Sequence, residues 1–219
     1  MFPAARRHPL HTIAWLNVGL HGVGLLFAAM GMRPGTPAAE LAARMDYLKA
    51  NHLGWSLGWF VWMLCVPALV AFMALTARML PDPSTLPRIA VILVIVGAGF
   101  DLFCDSAYIV VLPYVARLQE PALFQTLEKL LAIGSLLIAN GFYSVATLLI
   151  TLTLHDRGGL RPYTVAIGYG VAGFGVLLAA AALTGWPWHV EWTAGPTIVL
   201  FCAWALLVAF SLESRESSP

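Results

Sequence analysis

Two aspartates interrupt the apolar run GAGFDLFCDSAYIVVLPY, residues 97–114. Asp101 and Asp105 are one helical turn apart and Tyr108 follows three residues later, so on a helix two carboxyls and a phenol share a face. Such a face can exchange protons, hold a cation or supply a general acid and base. A charge at the centre of a spanning helix costs about 2.5–3.5 kcal/mol on insertion scales, and two acids one turn apart repel each other when both ionise. No Lys or Arg falls at that depth, and His21 is the one deep base. At least one aspartate is therefore expected to keep its proton at neutral pH, or to pair with a protonated His21.

Matching polar faces occur elsewhere. Asn17 and His21 are four residues apart, with Gly24 on the same side, and Asn140, Ser144, Thr147 and Thr151 repeat at helical spacing beside Tyr143. In hydrocarbon these groups would be unsatisfied, so they are expected to face one another. In this reading Asp101 is the principal proton-binding group, Asp105 its coupled partner and His21 a relay or counter-charge. Asn17, Tyr108, Asn140, Tyr143 and Ser144 are the substrate-binding candidates. The competing reading makes the same groups interhelical hydrogen bonds worth about 0.6 kcal/mol each. For Ser144, Thr147 and Thr151 taken alone, packing suffices.

Other chemistry finds little support. Two carboxylates and an imidazole are a conceivable ligand set, but no metal site is assigned. No cofactor is expected, because a b-type haem needs two facing deep histidines and His52, His155 and His189 lie at helix ends or in a loop. Cys65, Cys104 and Cys202 sit in apolar runs without CxxC spacing. Gly168, Gly170 and Gly173 spell a dinucleotide fingerprint but follow no strand, so close helix packing explains them better.

The elements that must position these residues follow from composition. Of 219 residues, 60% are hydrophobic and only 11% charged, with a net charge of +1 and a mean hydropathy of +0.81. Water cannot wet most of such a surface, and lipid can. The absence of a basic run argues against nucleic acid. Six windows are long enough to span: roughly 11–30, 54–77, 88–114, 130–153, 163–184 and 195–212. The first is longer than a signal-peptide core and is expected to remain as a helix. Turn signals separate the windows at 32–37, 81–87, 119–122, 155–162 and 185–196. Pro67 is expected to kink the second helix and Pro113 to close the third. Counted from Arg88, Asp101 lies about 20 Å along its helix, near the midplane.

The connection 31–53 contains Leu41, Met45 and Leu48 on one face, with Glu40, Arg44 and Lys49 elsewhere, over residues 38–52. That suits an amphipathic surface helix, or a loop helix packed on the bundle ends. The fold expected is an all-α bundle of six transmembrane helices with short loops, forming a single membrane domain. No internal repeat is visible. Arg6, Arg7, Arg78, Arg88, Arg157, Arg161 and Arg215 fall on one side, against Arg33, Arg44, Lys49, Arg117 and Lys129 on the other. The bias puts both termini in the cytoplasm of a bacterial inner membrane. Trp15, Trp55 and Trp59 near helix ends, and Trp186, Trp188 and Trp192 in the last loop, fit interface positions.

These features suit a small proton-linked permease, an intramembrane enzyme acting on a lipid or isoprenoid, or an accessory subunit of a larger membrane complex. The expected partners are membrane lipid, a small-molecule or lipid substrate, and copies of the chain or a larger assembly.

Overall fold

The computed structural model describes residues 9–80, 85–158, 160–184 and 187–216, with side chains described for 192–212 of the last stretch. Arg6, Arg7, Trp186 and the turn at 81–84 lie outside the described residues, as do the side chains of Trp188, His189 and Arg215.

The apolar runs all become helices. Helix α1 spans Pro9–Leu26 and continues through wide π turns at Phe27–Met32 and a 3-10 turn at Arg33–Gly35. Helix α2 is Leu41–Ala50, α3 is His52–Arg78 and α4 is Thr85–Leu118. Helix α5, Pro121–Ala132, runs through π turns at Ile133–Ala139 into α6, Asn140–Asp156. Helices α7, Pro162–Thr184, and α8, Pro187–Glu216, complete the chain. Among the described residues six stretches are long and apolar enough to cross a membrane: Pro9–Gly35, His52–Arg78, Thr85–Leu118, Pro121–Asp156, Pro162–Thr184 and Trp192–Leu212. The protein is a multi-pass, all-α membrane bundle.

Helix α1 packs on α3 and α8, α3 on α4, α4 on α6, α6 on α7, and α7 on α8. The packing order closes a ring. An even number of crossings brings Pro9, the start of α1, and Leu212, near the end of α8, to one end of the bundle. That end is filled by a tight apolar plug that includes Leu10, Phe72, Met73, Ile150, Trp204 and Val208, each at most 1% exposed. Phe72 meets Phe201 and Trp204 edge-on, with centroids 6.3 and 5.8 Å apart. A second cluster, built on Leu48, Trp55, Leu112 and Phe124, fixes α2 to α3, α4 and α5 at the opposite end.

Several elements differ from the sequence expectation. Pro113 does not close its helix, which runs on to Leu118. Proline deprives the carbonyl four residues back of its donor, and here the Ser56 hydroxyl donates to the Ile109 carbonyl at 3.2 Å. Next to it the Trp55 indole donates to the Tyr108 carbonyl at 2.8 Å. Trp55 is thus a buried strut, only 2% exposed, and not an interface anchor. Residues 187–194, expected in a loop, form the first turns of α8, where Pro187 opens the helix without the loss of an internal bond. The fourth crossing starts at Pro121 for the same reason, nine residues before the expected window.

Helix α2 turns Met45 and Leu48 inward, as the pattern predicts, but Arg44 is also buried, at 6% exposure. The Tyr47 hydroxyl donates to the Gly31 carbonyl and ties α2 to the end of α1. Burial pushes this phenol above its ordinary range, so it remains a donor throughout the neutral range.

Two junctions use left-handed backbone. Gly158 ends α6 with φ +62°, and Gln119 ends α4 with φ +57° before Pro121 opens α5. A side chain in that region costs about 1 kcal/mol that glycine avoids. Gln119→Gly is therefore expected to raise the melting midpoint by the equivalent of about 0.5–1 kcal/mol, measured by thermal unfolding in detergent.

Candidate functional site

Asp101 stands at the middle of the 34-residue α4, with Asp105 one turn on. Gly97, one turn before Asp101, lets α6 approach closely: a Cβ there would lie 2.8 Å from Tyr143 Cε1 and 3.1 Å from the Ala139 carbonyl. That approach brings two hydroxyls to Asp101. Ser135 Oγ donates to Oδ1 at 2.6 Å, and the Tyr143 hydroxyl donates to Oδ2 at 3.3 Å. Asp105 is only 2% exposed, yet among the described residues no donor reaches its carboxyl.

Both acids open on a cavity of about 1310 Å³ at the centre of the helix ring. Its floor is shared with the apolar plug through Leu69, Val171 and Phe201. Its mouth lies at the opposite end of the bundle, where the exposed residues Pro37, Gln125, Lys129 and Trp192 line it. The cavity is a cup, with its mouth at that end and its floor closed by the apolar plug around Leu10 and Val208.

Seven of the eight sequence-derived candidates line this cup: His21, Asp101, Asp105, Tyr108, Asn140, Tyr143 and Ser144. Asn140, the Tyr108 hydroxyl and the Asp105 carboxyl make no side-chain hydrogen bond to other described residues, so their polar atoms are left to whatever fills the cavity. Ser144 donates to the Asn140 carbonyl at 2.7 Å and Thr147 to the Tyr143 carbonyl at 2.9 Å, so both hydroxyls are spent on their own helix. Thr151 lies off the cavity, against Gly168.

His21 sits by the floor. Its Nδ1 lies 2.9 Å from the Asn17 carbonyl and acts there as the donor, which leaves Nε2 as the second functional nitrogen. Its ring packs against Phe201 and Trp62, with centroids 5.4 and 6.1 Å away. No hydrogen bond or ion pair joins it to either aspartate among the described residues. Asn17 stands apart from the cup: its Nδ2 donates to the Ile13 and Ala68 carbonyls, each at 2.9 Å, and so pins α1 to α3. Among the described residues no three of His, Cys, Asp and Glu gather closely enough to hold a metal ion.

Sequence reasoning missed two participants, Ser135 and Glu128. Ser135 is the nearest partner of Asp101. Glu128, two turns to the mouth side of Ser135, accepts both bonds of a forked contact from Arg44 Nη1, at 2.9 and 2.7 Å. The side chains of this ion pair are only 8% and 11% exposed, and the Arg44 guanidinium also lies 5.8 Å from the centre of the Phe124 ring. Trp59 and Trp62 form part of the cavity wall, and Trp59 stacks flat on Tyr108 with centroids 3.9 Å apart. The i, i+4, i+7 spacing of Trp55, Trp59 and Trp62 was the signal for a common face.

The cup can therefore hold a molecule larger than a water cluster between aromatic walls and two acids halfway along the bundle. Neither a known protein family, a curated protein nor a solved structure matches this chain.

Proposed function

We propose that this protein is a small proton-linked permease whose substrate enters the cup and meets Asp101 and Asp105. The observation that carries this reading is Asp105: a buried carboxyl, without a donor among the described residues, facing a large cavity halfway through the bundle. Ionisable groups at that depth are expensive and usually belong to proton, ion or substrate paths. Before substrate arrives the acids carry protons, because no Lys or Arg among the described residues lies beside them. A substrate that engages Asp101 or Asp105 displaces a proton, and the displacement couples the two movements. Asn140 and the Tyr108 hydroxyl orient the substrate, and Tyr143 with Ser135 holds Asp101 in place. The basic-residue bias supports a closed end on the cytoplasmic side, which would make the open cup the outward-facing state.

A permease must also expose its site to the other side. Cys65 lines the cup; in a Cys104→Ala, Cys202→Ala background it reports access. A membrane-impermeant thiol reagent is expected to label it from both faces of oriented vesicles, faster from the mouth side. Labelling from the mouth side alone would overturn the permease. The volume of the cup exceeds the roughly 300–1,000 Å³ of ordinary ligand pockets, which also suits a lipid or isoprenoid chain. In that second reading one aspartate acts as a general acid on the lipid, and Cys65 reacts from one side only.

A further inference from the structure

Resting on the cavity assigned above, we infer that its ligand is an amphipathic organic cation, an aromatic or alkyl ammonium or a group of the same chemistry. The charge balance of the wall points there. Among the described lining residues the only permanent cations are Arg33, Arg44 and Lys129, which lie towards the mouth. Arg44 is neutralised by the two-oxygen contact with Glu128. The titratable groups deeper in the cup are His21, Cys65, Asp101, Asp105, Tyr108 and Tyr143. Of these only His21 can become positive, and it makes no contact with either acid among the described residues. Asp105, at 2% exposure, therefore faces the cavity with neither a donor nor a counter-charge. A ligand that carries its own positive charge completes the site. A neutral acceptor meets only the protonated acid and gains a single hydrogen bond, and an anion finds no counter-charge there.

The remaining wall chooses the kind of cation. Trp59, Trp62, Tyr108, Tyr143 and Phe201 present aromatic surface around the acids. Indole and phenol faces attract a desolvated cation through the ring quadrupole, most strongly where water is excluded. A hard, hydrated metal ion gains little from such walls, and the cup is far larger than one needs. A cation with an apolar body gains on both counts, through cation–π contact and burial of its hydrocarbon.

The test uses the full-length protein in nanodiscs of zwitterionic lipid, with empty nanodiscs as the reference for partitioning. Equilibrium dialysis compares three probes of similar shape: methyltriphenylphosphonium, neutral triphenylphosphine oxide and anionic tetraphenylborate. Specific binding is expected for the phosphonium, with the oxide and the borate at least about tenfold weaker. Asp105→Asn is expected to weaken phosphonium binding about tenfold or more, as for loss of a charged partner. Trp59→Leu, which removes an aromatic face and leaves both acids, is expected to weaken it about threefold or more. Equal retention of the neutral probe, unchanged affinity in Asp105→Asn, or no specific binding of any probe would each overturn the inference. Asp105-dependent phosphonium binding together with one-sided labelling of Cys65 would uphold the cation site and remove only the permease.

Discussion

Glu128→Ala is expected to destabilise the bundle more than any other single change at the site, by about 3–5 kcal/mol. Removing Glu128 leaves the Arg44 guanidinium charged, 6% exposed and without its two acceptor oxygens. The loss of a buried partner costs more than the pair itself is worth, because the stranded charge has been taken out of water. The damage falls on the docking of α2, which Arg44 shares with Met45 and Leu48. Thermal melting in detergent checks this directly. The double variant Arg44→Met, Glu128→Leu, which deletes both charges and keeps the volume, is expected to recover most of the loss. A wild-type melting midpoint in Glu128→Ala would mean that water at the mouth already solvates Arg44.

The two aspartates are expected to behave oppositely towards stability. Asp101→Leu removes the acceptor of Ser135 and Tyr143. Two donors are then left in a largely apolar wall, at a cost of about 1–3 kcal/mol. Asp105→Leu removes no hydrogen bond among the described residues and replaces a buried polar group with an apolar one. It is expected to melt at or above the wild-type temperature. Groups retained at a cost to stability are characteristic of working sites. Melting of the two variants beside wild type at neutral pH decides the matter. Equal, large destabilisation by both substitutions would make Asp105 a packing group and remove the argument for a ligand.

Much of the molecule was legible from one dimension. Composition and run length determined the membrane bundle, because continuous apolar runs of about 20 residues, without the alternation of a barrel strand, satisfy their backbone in lipid as helices. The i, i+4, i+7 rule brought Asp101, Asp105 and Tyr108 to one face, and that face does line the cavity. Periodicity likewise placed Asn140, Tyr143 and Ser144 on the cavity wall.

Periodicity failed where the helix departs from its own repeat. Ser135 and Asn140 are five residues apart, out of phase on an α-helix, yet both reach the cup. The π turns at Ile133–Ala139 hold about one extra residue per turn and bring positions five apart into register. Pro113 was misjudged for a different reason. Whether a proline ends a helix depends on whether another segment satisfies the freed carbonyl, and Ser56 lies 53 residues away along the chain.

By itself, then, the sequence determined that six apolar helices cross a bilayer and which of their faces are polar, since both depend on local spacing and transfer energies. The tertiary structure decided which faces meet. It closed the ring, set the plug at one end, paired Arg44 with Glu128 across 84 residues and gave Asp101 its hydroxyl partners. It also left Asp105 without one among the described residues. Such pairings depend on the relative rotation and height of distant helices, which the packing of all six settles together and no short stretch of sequence carries.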